Sequence, residues 1–278
     1  SPNEITILSS HSHCVWMQTE EALIRGLTFV CRPDDVNAKL FAVYIPTGHL
    51  ILEDCDISSH SLACVAVNGP AEPVIRRCYI HDGKRGGLFI GSGGKGIVED
   101  CEITNNALAG IAIKEGSNPI IKQSKIGNSK GYGVLIWDHG KGVLENCEIF
   151  NSGLVGVEIK QGSNPLFRDC QISNNKHSGI LVWDKAKGTF ENCKIYGNAQ
   201  AGIEIKQEAS PLIHHCKINW NAHEAISVYE GGQGIVKDCD LTNNYHGSWK
   251  IEAPCEVEQD QNQVDQHSNV VVRTLAGG

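Results

Sequence analysis

The chain has 278 residues, of which 41% are hydrophobic and 20% are charged, and its formal net charge is −8. These values are ordinary for a globular protein, and the length suffices for a sizeable core. The negative charge argues against nucleic acid or an anionic membrane as a partner, because both require a basic surface. No run approaches the roughly 18 apolar residues of a membrane span.

Residues 1–50 contain apolar runs but no clean repeat. The runs Ile5–Leu8, Leu23–Val30 and Leu40–Ile45 predict strands, and Pro33–Lys39 predicts an external loop between two of them. We therefore assign residues 1–50 to irregular N-terminal coils of a domain that spans residues 1–255.

From residue 51 to residue 248 the chain repeats with a period of 23 residues. Residues 143–165 read VLENCEIFNSGLVGVEIKQGSNP, and residues 166–188 read LFRDCQISNNKHSGILVWDKAKG. Each block holds two short runs of alternating apolar residues, which indicate half-buried strands, and Gly, Asn and Pro interrupt it where helices need continuity. We predict an all-β fold, a right-handed single-stranded parallel β-helix solenoid with about nine regular coils.

Stacked coils place equivalent residues about 4.8 Å apart along the axis, so the repeat predicts ladders. Cysteine occupies one position, with Ser124 in the coil that lacks it, and small Cys suits a tight interior corner. Parallel side chains have poor disulfide geometry, and repeated free thiols indicate a reducing compartment, so we expect an intracellular protein, in the cytoplasm or nucleus. The ladder contains Cys55, Cys78, Cys101, Cys147, Cys170, Cys193, Cys216 and Cys239.

After Trp249 the repeat ends. Residues 256–268 are polar and repeat-free, so we predict a polar tail or cap over residues 256–278 that shields the last open strand edge. The closing run VVVRTLAGG has the composition of one more strand.

The second predicted strand points alternate residues outward, and these residues change with a period of two coils. Leu–Trp pairs alternate with Glu–Lys pairs, beside a column of acids and amides. Two interpretations remain open: lysine stems cover the aromatic rings, at about 0.5–1 kcal/mol for each cation–π contact, or the rings bind a partner, as aromatic hot spots do. The candidate partner-binding residues are Leu135, Trp137, Asp138, Leu181, Trp183, Asp184, Tyr229 and Glu230.

No catalytic constellation is recognisable. Asp138 and Asp184 would lie about 9–10 Å apart, a separation that an inverting carboxylate pair permits, but an active site interrupts a repeat and these residues follow it. His223 and Glu224 depart from the pattern and have the residue types of a general acid/base pair, with a solvated surface as the alternative. No Cys/His cluster has zinc-site spacing. We therefore expect no catalytic residue, no metal and no other cofactor.

The stretch EDCEITNNALAGIAIKEGSNPIIKQSKI, residues 99–126, with its recurring Asn-Ala-x-Ala-Gly and Asn-Pro turns, resembles the parallel β-helix repeats of F-box-only proteins ten and eleven. Those repeats belong to a pectin-lyase-like class named for carbohydrate-binding proteins and sugar hydrolases. The likeness covers residues 51–248 and, more loosely, residues 1–50. It implies the substrate-recognition arm of a ubiquitin ligase whose F-box segment lies outside this sequence. The GHG, RIK-type and Asp-Pro-His motifs of pectate lyases, polygalacturonases and alginate epimerases do not occur.

We therefore predict a non-catalytic protein-recognition solenoid, the substrate-binding module of an F-box-type ubiquitin ligase, with a protein as its partner. The alternative is a β-helix protein that binds or processes polysaccharide, as a lyase, hydrolase or epimerase, because stacked aromatic rings suit sugar rings. A structural spacer is the third interpretation. The fold alone does not choose among them.

Overall fold

The computed structural model describes residues 4–35 and 37–265, and every regular element in these ranges is a short strand. The strands, numbered in chain order, form three parallel sheets that we call A, B and C. The described residues include no helix long and apolar enough to cross a membrane. The all-β parallel β-helix predicted from the sequence is confirmed, with about eleven turns.

The chain passes through sheets A, B and C in turn, so each coil contributes one strand to each sheet, except that the last described coil adds strands only to sheets B and C. Sheet A contains β1 (Thr6–Ser9), β4 (Thr28–Cys31), β7 (Asp56–Ser59), β10 (Tyr79–His81), β13 (Glu102–Thr104), β16 (Lys125–Gly127), β19 (Glu148–Phe150), β22 (Gln171–Ser173), β25 (Lys194–Tyr196) and β28 (Lys217–Asn219). Sheet B contains β2 (Val15–Trp16), β5 (Val43–Ile45), β8 (Ala63–Asn68), β11 (Gly86–Gly91), β14 (Ala109–Ile113), β17 (Tyr132–Ile136), β20 (Val157–Ile159), β23 (Ile180–Val182), β26 (Ile203–Ile205), β29 (Ile226–Val228) and β31 (Trp249–Ile251). Sheet C contains β3 (Glu21–Arg25), β6 (His49–Glu53), β9 (Val74–Arg76), β12 (Ile97–Glu99), β15 (Ile120–Lys122), β18 (Val143–Glu145), β21 (Leu166–Arg168), β24 (Thr189–Glu191), β27 (Leu212–His214), β30 (Gln233–Lys237) and β32 (Glu256–Asp260).

Each regular coil has three strands, one more than the sequence predicts. The extra strand begins the repeat block, as β18 does, and only two residues separate it from β19. The first of these, Asn146, adopts a left-handed backbone with φ 52° and turns the chain sharply inward to Cys147. Asn and Asp tolerate this conformation better than most residues. The corner is too short to appear in the sequence as a break between strands.

The inward side chains form one continuous core along the axis. The isoleucines of sheet A stack in register, as Ile149 does on Ile172 and Ile172 on Ile195, and all three are fully buried. Burial of each contributes roughly 1.5–3 kcal/mol. In sheet C, Phe167 and Phe190 stack with ring centroids 5.3 Å apart.

The ladder cysteines lie at the corner between sheets C and A, and all twelve cysteines of the chain are free. Cys147 is buried, and its Sγ donates a hydrogen bond of 3.3 Å to the Glu145 carbonyl oxygen. In the coil that lacks a cysteine, the Ser124 hydroxyl donates to the Lys122 carbonyl oxygen at 2.9 Å. The same local contact therefore serves both residue types, and the intracellular location inferred from the thiols stays a prediction.

A second polar ladder lies at the turn between sheets A and B. The buried Asn198 donates its side-chain amide to Asn221 Oδ1 at 2.9 Å, and Asn221 donates in the same way to Asn244 Oδ1 at 2.9 Å. Each of these oxygens also accepts the backbone N–H of the residue one coil before it. Two coils have serine at this position, Ser129 and Ser152, and their buried hydroxyls have no hydrogen-bond partner among the described residues.

The two ends of the described chain deviate from the regular coil. The predicted strand over residues 23–30 is two strands, β3 and β4, because Gly26 with φ 70° turns the chain between sheets. The segment after β4 enlarges its coil, since Thr28 pairs with Asp56 whereas Thr6 pairs with Thr28. At the other end, β32 pairs with β30, so residues 256–260 extend sheet C. The closing run over residues 270–278 lies outside the described residues, and the domain boundaries stay a prediction.

Candidate functional site

The outward residues of sheet B form a continuous surface, which we call the sheet B stripe. Strand pairing brings Leu135, Glu158, Leu181, Glu204 and Ser227 into one column, each directly paired with the next. Two residues further along each coil lies a second column, which contains Trp137, Lys160, Trp183, Lys206 and Tyr229. The stripe comprises Leu135, Trp137, Glu158, Lys160, Leu181, Trp183, Glu204, Lys206, Ser227 and Tyr229.

Lysine ammonium groups lie over the aromatic rings of the stripe. Lys160 Nζ is 5.1 Å from the Trp183 ring centroid, and Lys206 Nζ lies between Trp183 and Tyr229, at 5.7 and 5.5 Å. Lys114 Nζ lies 5.9 Å from the ring of Trp137. Each such contact contributes about 0.5–1 kcal/mol at an exposed site. The predicted covering of the rings by lysine stems is therefore present in the structure.

Two glutamates anchor the polar edges of the rings. Glu158 is 5% exposed, and its Oε1 accepts hydrogen bonds from Trp183 Nε1 at 3.2 Å and Lys160 Nζ at 2.8 Å. Glu204 Oε2 accepts the Tyr229 hydroxyl at 2.7 Å. Burial, together with the Glu204 carboxylate, raises the pKa of Tyr229. The rings of Trp183 and Tyr229 are thus held in fixed orientations by charge-assisted hydrogen bonds.

The column of acids and amides lies at the turn that follows sheet B. Asp138, Asp184 and Glu230 adopt left-handed backbone conformations with φ 53°, 52° and 49°. These acids occur in coils that carry an aromatic residue just before the turn, as Trp183 precedes Asp184. The column presents carboxylate and amide groups beside the rings. Its members are Glu115, Asp138, Gln161, Asp184, Gln207 and Glu230.

All eight predicted partner-binding residues thus lie on the sheet B stripe or its acidic column. Leu135, Trp137, Leu181 and Trp183 are half-buried rather than fully exposed, because lysine and glutamate side chains pack against the rings. The assignment of these residues to partner binding stays a prediction.

The sequence analysis missed an aromatic extension of the stripe at its N-terminal end. Trp16 pairs with Tyr44, and Phe89 lies in the same column two coils further on. The rings of Trp16 and Tyr44 are 6.3 Å apart, and Trp16 is 58% exposed. The irregular coil lengths before residue 51 hide this register. The available signal was an aromatic residue at the middle position of each apolar run, as in Val43–Tyr44–Ile45 and Leu88–Phe89–Ile90.

Departures from the repeat gather at the turn between sheets A and B near the C-terminal end of the described chain. His223, Glu224 and His246 offer ligand atoms that all lie within 4.8 Å of one another. The sequence pointed to His223 and Glu224 but not to His246, which follows one full coil later.

Three stacked parallel sheets with a core of aligned side chains define a parallel β-solenoid. The chain belongs to the family described as the right-handed beta helix region, whose model matches residues 4–138 and 109–269. A search of curated protein sequences gives no match.

Solved structures share the fold at low sequence identity. The periplasmic alginate epimerase AlgG is 14% identical, with a TM-score of 0.76 over 87% of this chain and 68% of AlgG. The A-module of the Azotobacter vinelandii mannuronan C-5 epimerase AlgE6 is 13% identical, with a TM-score of 0.63 over 87% of this chain and 73% of the module. The pectate lyase Pel9A is 11% identical, with a TM-score of 0.60 over 92% of this chain and 70% of the lyase. At these identities the likeness shows the fold.

The function predicted first, a protein-recognition module of an F-box-type ubiquitin ligase, is wrong. The alginate epimerase, the mannuronan epimerase and the pectate lyase are named for polysaccharides, and they favour the alternative prediction. The resemblance to F-box-only proteins and a protein partner gain no support from the comparisons. The physical reason is that a repeat match reports which turns allow coils to stack and does not report what the outer surface binds.

Proposed function

We propose that the protein binds a polysaccharide chain along the sheet B stripe. The observation that carries the proposal is the regular series of flat rings, Trp137, Trp183 and Tyr229, placed two coils apart with polar groups between them. Each ring is partly exposed, so the part that lysine does not cover offers apolar contact area to a sugar ring, and the polar edges of Trp183 and Tyr229 are hydrogen-bonded to glutamates. The shared fold with the alginate epimerase and the pectate lyase supports the same class of ligand.

The length of the sheet B stripe together with its N-terminal aromatic extension favours a polymer over a small molecule. Nine steps of strand pairing separate Trp16 from Ser227, which corresponds to about 43 Å along the axis. Trp137, Trp183 and Tyr229 directly follow paired strands, and hydrogen bonds hold Trp183 and Tyr229, so little side-chain freedom is lost when a ligand binds. A preformed, extended and straight surface of this kind matches an extended glycan.

The charge balance of the surface favours a neutral polysaccharide. Carboxylates outnumber lysines on the stripe, the acidic column and the next coil, and like charges repel an anionic polymer at low ionic strength. Hydroxyl groups of a neutral sugar can instead donate to exposed carboxylates such as those of Asp138 and Glu230. The carboxylates are Glu115, Asp138, Glu158, Asp184, Glu204, Glu230 and Glu252, and the lysines are Lys114, Lys160, Lys206 and Lys250.

The test is binding to a panel of neutral glycans, alginate and pectate, measured by affinity electrophoresis with and without calcium. The double variant Trp137→Ala with Trp183→Ala is compared with Tyr196→Ala, which removes an exposed ring from sheet A. At about 1 kcal/mol for each ring, the double variant weakens binding roughly 30-fold, and the control does not.

Retention of a neutral glycan by the native chain and its loss in the double variant support the proposal. Equal retention by the double variant and Tyr196→Ala, or no retention of any polymer, contradicts it. Binding of alginate or pectate without calcium, in preference to neutral glycans, contradicts the charge argument.

A further inference from the structure

Two histidines at the turn between sheets A and B lie directly above one another. His223 and His246 are 23 residues apart and occupy the same position of consecutive coils. The backbone N–H of His246 donates to the carbonyl oxygen of His223 at 3.4 Å, and the ring centroids are 4.8 Å apart. In the preceding coils the position is variable. Its occupants are Leu108, Gly131, Leu154, His177, Gln200, His223 and His246.

A carboxylate joins the pair at a position where no other regular coil from residue 109 to residue 247 has an acidic residue. Glu224 follows His223, where the corresponding residues include Ala109, Val155 and Ala201. Its side chain is 14% exposed, and Oε1 lies 4.0 Å from His246 Nδ1. No shorter ion pair holds this carboxylate within the described part of the chain. A half-buried carboxylate is therefore aimed at two imidazoles without a close partner of its own.

The spacing suits one metal ion. The three ligand atoms lie within 4.8 Å of one another. Tetrahedral zinc binds nitrogen and oxygen ligands at about 2.0–2.2 Å, which places neighbouring ligand atoms roughly 3.3–3.5 Å apart. The histidines are exposed, so small rotations of their side chains close the remaining distance without displacing the packed core.

We propose that His223, Glu224 and His246 form a binding site for Zn²⁺. Two imidazoles and one carboxylate match the preference of zinc for nitrogen and oxygen ligands, whereas Ca²⁺ and Mg²⁺ require mainly oxygen. The site is independent of the proposed polysaccharide binding, since none of its residues belongs to the sheet B stripe. Three protein ligands leave a fourth position open to water or to a ligand oxygen.

The surroundings of the site are open and aromatic. Tyr245 is 82% exposed, and its ring lies 5.0 Å from the His246 ring. Trp220, at the same turn one coil earlier, is 69% exposed. The site therefore lies at an exposed turn, with the Tyr245 ring directly beside His246.

The test is calorimetric titration of the whole chain with Zn²⁺, under reducing conditions, for the native protein and for Glu224→Gln, His246→Ala and His177→Ala. His177 is the matched control, because it occupies the same column two coils away from the site. We expect one strong site in the native protein and in His177→Ala, and affinity weakened about 100-fold or more in the other two variants. Circular dichroism checks that each variant retains the β-helix.

Cobalt provides a readout that is independent of affinity. Co²⁺ bound by nitrogen and oxygen lacks the intense thiolate-to-metal absorption that Cys14 or Cys255, the two half-buried thiols, would produce. Absorption from bound Co²⁺ that lacks the thiolate band, and that disappears in Glu224→Gln, supports the site. Equal Zn²⁺ affinity in all four proteins, or a cobalt spectrum dominated by thiolate bands, overturns it.

Discussion

Substitution of Asn221 by alanine removes one rung of the polar ladder and tests whether that ladder stabilises the solenoid. Asn221 Oδ1 accepts the backbone N–H of Asn198 at 3.2 Å and its side-chain amide at 2.9 Å. Asn221 Nδ2 donates to Asn244 Oδ1 at 2.9 Å and to the carbonyl oxygens of Ile195 and Asn219, both at 3.2 Å. The side chain is 2% exposed, so water does not replace these partners.

The magnitude follows from the number of hydrogen bonds lost. The two amide hydrogens of Asn221 are shared among three acceptors, so about four hydrogen bonds are lost at roughly 1 kcal/mol each. The buried N–H of Asn198 is also left without its acceptor, which makes the cost larger than for an exposed turn. We expect the free energy of unfolding to fall by about 3–5 kcal/mol.

The assay is urea unfolding followed by circular dichroism, together with hydrogen exchange of the Asn198 amide. Ser152→Ala is the matched control, because Ser152 occupies the same ladder position and its buried hydroxyl has no described partner. We expect the control to change stability by less than about 0.5 kcal/mol. Equal effects of the two substitutions, or unchanged protection of the Asn198 amide in Asn221→Ala, would refute the reasoning.

Three further predictions concern the repeat and its surface. Ser152→Asn should raise the free energy of unfolding by about 1 kcal/mol in urea titrations, because an asparagine continues the ladder. Gly179→Ala should lower it by about 1–3 kcal/mol, since a Cβ there would lie 2.6 Å from Ile195 Cγ2. Arg168→Gln should raise the Glu191 pKa, measured by NMR titration, because the hydrogen bond from Arg168 holds that pKa below its usual 4.5.

Each has a contrary outcome. An unchanged or lowered stability of Ser152→Asn would show that the serine coils are not under-bonded, and a neutral Gly179→Ala would show that the coils separate easily. For Glu191 the sign follows from the lowered folded-state pKa: the ion pair stabilises the protein above pH 4.5, and the stabilisation is lost as the pH falls through the folded-state value. An unshifted Glu191 pKa in Arg168→Gln would mean that the ion pair does not form in solution.

Much of the fold could be predicted because the repeat is written directly in the chain. A period of 23 residues with Cys147 and Ile149 at fixed positions forces equivalent side chains into columns once the coils stack. The third strand of each coil could not be predicted, because its boundary is a single left-handed residue such as Asn146 rather than a loop. Sequence patterns record periodicity well but record a sharp corner poorly.

The function was predicted less well, for a physical reason. A repeat match reports which turns allow coils to stack, and coils of different function require the same turns, so the resemblance to F-box-only proteins described packing rather than chemistry. The sequence did identify the outward Trp137 and Trp183. It left open whether lysine stems cover the rings, and it did not show that Glu158 orients Trp183, since that hydrogen bond joins different coils.

The sequence by itself determined the solenoid, its coil length and which residues face inward, because local alternation and a constant period suffice for these. Only the tertiary structure decided how the irregular coils align and which way individual side chains turn. The period places His246 above His223, but only the structure shows the Glu224 carboxylate close to both rings, and only the structure aligns Trp16 with Tyr44 across an irregular coil. Such contacts depend on the exact length of every intervening coil, and a single irregular coil shifts the register in a way that no local pattern reveals.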